Sequence, residues 1–134
     1  MKISDKFHLE DINKLKNTVL TGKTEDIKWR IQHINIVSKL LDENKKEIIK
    51  SLFVDLGKSE IEGLSEILLV KEEISLIKKK LNSWMRPKKI DTPFYLFPSS
   101  SKVIYEPLGC VLILGPYNYP LLYVLKPLVN IFSA

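Results

Sequence analysis

The sequence predicts an α/β chain: a helical first part, a β-prone middle, and one strand-to-helix unit at the end. Three observations predict it. Apolar residues recur at spacings of three and four as far as Trp84. At Pro87 that periodicity gives way to short β-prone runs among prolines and serines. The continuous apolar run Cys110-Val111-Leu112-Ile113-Leu114 then passes through a proline-rich turn into an apolar, helical stretch. A run of that kind is expected of a strand covered on both faces in a parallel sheet.

Leu9, Ile12, Leu15 and Val19 predict a short first helix that stops near Gly22. Thr24 is the expected N-cap of a longer helix, with Glu25 and Asp26 in its first turn, where acids favour the dipole. Its apolar face runs unbroken through Ile27, Ile31, Ile34, Val37, Leu41, Ile48, Leu52 and Leu56, and Gly57 stands where a left-handed terminator belongs. Ser59 and Glu62 have the spacing of a capping box. The helix they open carries Ile67, Val70, Ile74, Ile77, Leu81 and Trp84 on one face, a seam too short to argue for a coiled coil. Two amphipathic helices joined by Gly57-Lys58-Ser59 fold most simply as an antiparallel hairpin against a further apolar surface.

Lys88 to Pro93 reads as a linker, and Phe94–Phe97 and Lys102–Tyr105 as β-prone runs forming a hairpin-like segment. From Tyr119 the chain turns helical through Leu121, Leu122, Val124, Leu125, Leu128, Val129, Ile131 and Phe132. A strand and its crossover helix without a second strand describe the front portion of a larger domain. The expected organisation is 1–86 helical, 87–108 linker and β-prone strands, and 109–134 an opening βα unit.

The totals narrow the function. The chain has 134 residues, 45% hydrophobic and 28% charged, which suits one modest folded domain and excludes wholesale disorder. A single cysteine with His8 and His33 allows neither an internal disulfide nor a structural zinc site. Both histidines are expected on helix surfaces. No apolar run has signal-peptide or membrane-spanning character, so the chain reads as cytoplasmic. The net charge of +5 is concentrated in Lys78, Lys79, Lys80, Arg86, Lys88 and Lys89. That cluster reads as a solvated helix end, or as a phosphate-tracking patch.

The turn Leu114-Gly115-Pro116-Tyr117-Asn118-Tyr119-Pro120 lacks the glycine spacing that cradles phosphates. Taken alone, Asn118 fits a helix N-cap ahead of Pro120 in the first turn. However, Glu106-Pro107-Leu108-Gly109-Cys110-Val111-Leu112-Ile113-Leu114-Gly115-Pro116-Tyr117-Asn118-Tyr119-Pro120 resembles the aldehyde dehydrogenase superfamily. There a Glu-Pro-x-Gly segment, an apolar strand and a Pro-Trp-Asn-aromatic-Pro turn recur in that order. Arg30-Ile31-Gln32, the two-helix preamble and the Asn-Tyr-Pro ending are most similar to the fatty-aldehyde branch, and the likeness runs from about Arg30 to Ala134.

The resemblance implies the N-terminal part of an enzyme that oxidises an aldehyde to a carboxylate with NAD or NADP. In it, 109–134 would be the first strand and helix of a Rossmann-like cofactor-binding domain. Asn118 matches the amide that donates to the oxyanion of the tetrahedral intermediate. Leu114, Gly115, Pro116 and Tyr117 match the segment that lies along the cofactor. Tyr117 departs from the usual tryptophan, and Cys110 from the usual valine. Cys110, inside an apolar strand, is expected in the core, where burial suppresses the thiolate; the family's nucleophile and base come far downstream of the turn. Glu106 belongs to the opening motif. The implied partners are an aldehyde and, in the full-length enzyme, a second copy of the subunit; nucleic acid has no part, and membrane association of this segment is not expected. The alternative is a free-standing helical module binding an anionic partner, nucleic acid or a membrane surface, through Lys78–Lys89.

Overall fold

A computed structural model describes residues 9–134. The order is α1 (Leu9–Leu20), α2 (Ile27–Glu43), α3 (Lys45–Leu56), α4 (Glu60–Trp84), β1 (Lys88–Ile90), β2 (Ser101–Val103) and α5 (Leu122–Ser133). His8 lies outside the described residues.

The expected long helix is two. Asn44 separates α2 from α3 at φ −106°, ψ 14°, a conformation outside the helix, and its Nδ2 donates to the Leu40 carbonyl at 2.9 Å. Asparagine's readiness to bond local backbone makes it a weak helix interior residue. The N-cap of α2 is Asp26 rather than Thr24: its carboxylate accepts from the Lys28 amide at 2.9 Å. Gly57 ends α3 in the left-handed region at φ 67°, its amide donating to Phe53 at 2.8 Å. The Ser59–Glu62 capping box is complete in both directions.

Gly63 on α4 lies against Ile49 of α3, while Lys71, further along α4, pairs with Asp42 at the end of α2. Rising numbers on α4 meet falling numbers on α2 and α3, so the helices are antiparallel. The core joins Ile34, Val37 and Leu41 of α2 to Ile67, Val70, Ile74, Ile77 and Leu81 of α4, with Val129 of α5 closing it. Trp84, expected on that face, remains 44% exposed.

α5 is the apolar surface on which the hairpin packs, and it is held at both ends. At its C-terminal end Arg30, only 6% exposed, donates through Nη1 to the carbonyls of Ser133 at 2.9 Å and Ala134 at 2.8 Å. Nε of the same guanidinium reaches the Thr24 carbonyl at 2.9 Å. At the other end, the first amide of α5, Leu122 N, donates to Glu66 Oε2 of α4 at 3.0 Å.

The sheet of the described residues is the antiparallel pair β1–β2, with Lys88 opposite Val103 and Ile90 opposite Ser101. The expected linker therefore supplies one strand, and the aromatic run Phe94–Leu96 is a 3-10 turn. Residues 110–114 form no strand. Val111, Leu112 and Leu114 are 47%, 67% and 85% exposed, and Cys110 is exposed rather than in the core. An apolar run becomes a buried strand only beside a second strand that takes up its amides and carbonyls; none of the described residues does so here. The α/β class is thus present as a helical assembly bearing a small antiparallel sheet.

Candidate functional site

The site expected from sequence is the turn that delivers the chain into α5. Asn118 is exposed, and no group among the described residues hydrogen-bonds its carboxamide. It does not cap the helix: the cap position is Leu121, with no side-chain bond. The first amide of the helix, Leu122 N, is taken by Glu66, and the Asn118 carboxamide bonds no group among the described residues.

Leu114, Gly115, Pro116 and Tyr117 are all exposed, Leu114 to 85% and Tyr117 to 84%. The segment is nonetheless laid closely on α5. A Cβ placed on Gly115 would stand 2.6 Å from Val124 Cγ2, so only glycine allows this approach. Tyr117 and Pro120 also border an open groove of about 570 Å³ whose other wall includes Ile48, Leu52 and Asp55 of α3. The four residues are therefore contiguous and open on one side, with Asn118 at their end.

Behind the turn lies an ion pair. Glu66 is fully buried and pairs with Lys58 Nζ, whose side chain is 10% exposed. Lys58 Nζ also sits 3.8 Å from the centroid of the Tyr119 ring, a cation–π contact. Tyr119 in turn meets Tyr123 edge-on at 6.0 Å. Among the described residues no buried side-chain polar atom lacks a partner. Sequence reasoning missed Lys58 and Glu66. The available signal was an acid on the buried stripe of α4, three residues past Gly63 and four before Val70.

A second concavity, an apolar groove of about 400 Å³, is lined by Val19, Trp29, Cys110, Val111, Leu128 and Phe132 among others. His33 borders it and is half-buried rather than on the open surface. Its ring stacks on Trp29 at 3.8 Å, and its Nδ1 lies 2.8 Å from the Trp29 carbonyl. Cys110 has no hydrogen-bonding base at its Sγ among the described residues. Lys78, Lys79 and Lys80 are exposed on α4, with no ion-pair partner among the described residues. No helix of the described residues is long and apolar enough to cross a membrane.

The family model described as "Aldehyde dehydrogenase family" matches residues 18–133. The 4,4'-diaponeurosporen-aldehyde dehydrogenase of Staphylococcus aureus is 37% identical over 115 residues, covering 85% of this chain and 25% of that protein. Aldehyde dehydrogenase family 3 member H1 of Arabidopsis thaliana is 34% identical over 124 residues, covering 92% of this chain and 26% of the relative. A solved structure of Staphylococcus aureus AldH in its substrate-bound state superposes with a TM-score of 0.89 at 33% identity, covering 99% of this chain and 28% of that one. The chain spans about a quarter of the length of the curated relatives it matches.

Proposed function

The chain belongs to the aldehyde dehydrogenase family, and on that premise we propose that it is the N-terminal part of an oxidoreductase converting an aldehyde to a carboxylate with NAD or NADP. In this reading residues 1–86 are its preamble, helical where described, 87–108 the bridging segment with its strands, and 109–134 the opening of the cofactor-binding domain. The substrate class is a fatty or similarly apolar aldehyde, and the complete enzyme works as a homodimer in the cytoplasm. The observation that carries the reading is the family turn standing exposed at the head of α5, its asparagine outside the cap position and bonded to no group among the described residues.

Asn118 is the residue of this chain assigned to the chemistry. When a nucleophile adds to an aldehyde, the carbonyl oxygen becomes negative. A carboxamide N–H can meet that charge without titrating, being neutral at every working pH. Held in place beforehand, such a donor lowers the barrier by about 3 kcal/mol. Pro116 and Pro120 fix backbone torsions on either side of it, and Gly115 brings the segment down onto α5. The nucleophile, the base that activates water and the pyrophosphate contacts come from sequence outside these residues, so the chain alone does not turn over.

The residues present fit a dinucleotide lying along the turn. Leu114 and Tyr117 offer exposed apolar and aromatic surface, and Gly115 and Pro116 leave the backbone between them unobstructed. When bound, NAD or NADP would accept the hydride lost by the aldehyde carbon. Tyr117 would bound the site laterally, and Leu114 would keep water from one side of it.

The test is a chimera in which these 134 residues replace the matching segment of Staphylococcus aureus AldH. The folded chimera is expected to oxidise that enzyme's aldehyde with NAD or NADP. A chimera that folds and assembles without activity would overturn the proposal.

A further inference from the structure

We propose that Lys58 and Glu66 are positioning residues for the Asn118 turn, gripping the chain on the α5 side of that asparagine. The purpose of the device rests on the oxyanion reading above; its geometry does not.

The first step is the cost of the pair. Glu66 is fully buried on the apolar stripe of α4, and Lys58 is nearly so. Removing two charges from water costs several kcal/mol per ion, and an apolar pair of the same volume often serves stability as well or better. Stability alone therefore gives little reason for this pair. Its contacts give one. One carboxylate oxygen takes Lys58 Nζ and the other takes the Leu122 amide at 3.0 Å. Lys58 Nζ meanwhile lies 3.8 Å from the ring of Tyr119, the residue next to Asn118. The pair thus holds positions 119 and 122 at once.

The second step is that the anchor is itself fixed. Lys58 sits between two helix ends. Its amide donates to the Leu52 carbonyl at 3.4 Å as α3 terminates, and Ser59 beside it closes the capping box of α4. Glu66 stands in the second turn of that same helix. The break between α3 and α4 therefore serves as a rigid mount that reaches across to the turn. Asn118 has no hydrogen bond of its own among the described residues, so its place is inherited from neighbours that are held.

The experiment is backbone relaxation and amide exchange by NMR on the isotopically labelled 134-residue chain and its variants. In the unsubstituted chain the amides of Tyr117, Asn118 and Tyr119 are expected near the rigid limit, an order parameter of about 0.85. In Glu66→Ala and in Lys58→Met, which keeps the apolar stem, order at 117–119 is expected to fall below about 0.6. The Leu122 amide should exchange at least about tenfold faster, with Ile74 and Ile77 unchanged. Lys58→Arg, which retains a cation, should restore most of the order. If Glu66→Ala fails to fold, Lys58→Met decides. A pair serving only stability would lower the thermal midpoint and leave order at 117–119 as it was. That result, a uniform loss across α4 and α5, or disorder at 117–119 in the unsubstituted chain would overturn the proposal. None of these measurements involves turnover, so an enzyme indifferent to Asn118→Ala would sink the oxyanion reading and leave this one standing.

Discussion

Gly115 leaves no room for a side chain, because a Cβ there would stand 2.6 Å from Val124 Cγ2. Valine in a helix has essentially one comfortable rotamer, so it gives way poorly. Gly115→Ala should therefore destabilise the fold by about 1–3 kcal/mol, as overpacking does. Most of that loss should disappear in the double variant with Val124→Ala, measured by denaturant unfolding; equal losses in both backgrounds would contradict the contact. Glu62 makes a second prediction. The Ser59 amide and then its hydroxyl hold the Glu62 carboxyl below the ordinary range, burial opposing them and Lys58 adding slightly. A depressed folded pKa stabilises above the unfolded value, about 4.3, and that stability is lost as pH falls through the folded value. Glu62→Gln, which can still complete a capping box, should therefore flatten the acid limb of the thermal midpoint below about pH 4.3 and leave the neutral midpoint nearly unchanged. Both buried charges, Arg30 and Glu66, sit at helical spacing on apolar stripes: Arg30 leads to Ile34, Val37 and Leu41, and Glu66 to Val70. Their positions were readable in the sequence. Their partners were not, since Ser133 and Leu122 are remote along the chain and no local pattern announces the pairing.

Helices were legible where the apolar period was long and a cap closed it. Ser59–Glu62 and Gly57 did what their chemistry demands. The period itself hid the break at Asn44, because Leu41 and Ile48 stay in phase across it. The β-prone runs were less legible, since strand identity depends on a neighbour. Phe94–Leu96 curls into a 3-10 turn, whereas Lys88–Ile90, with no apolar alternation, pairs with Ser101–Val103. Residues 110–114 have the composition of an interior strand without a strand alongside among the described residues. For α5 the decisive contact is Arg30, a cation at the helix C-terminal end where the dipole favours it. Burial lowers the Arg30 pKa, with Glu25 acting in the opposite sense. Arg30→Met should cost at least about 2 kcal/mol in denaturant unfolding, because a charged donor to three part-buried carbonyls is lost. Exchange should accelerate most in the last turn of α5. A loss confined to α1 would contradict the clamp.

Taken whole, the molecule is a helical hairpin with α5 laid across it, presenting the family turn outward. The exposed apolar surface of residues 111–114 and the groove beside Trp29 are open in this structure. The account predicts that purified 1–134 shows no aldehyde-dependent reduction of NAD or NADP; turnover abolished by Asn118→Ala would refute that incompetence. The candidate site was legible because its motif is local, Leu114 to Asn118 being contiguous, while its supports arrive from α4 and from the break before it. The most direct measurement is kcat for Asn118→Ala in the Staphylococcus aureus AldH chimera at saturating aldehyde and cofactor. The account predicts a fall of about 100-fold with KM changed far less. An unchanged kcat would contradict the assignment of Asn118 as the donor to the oxyanion.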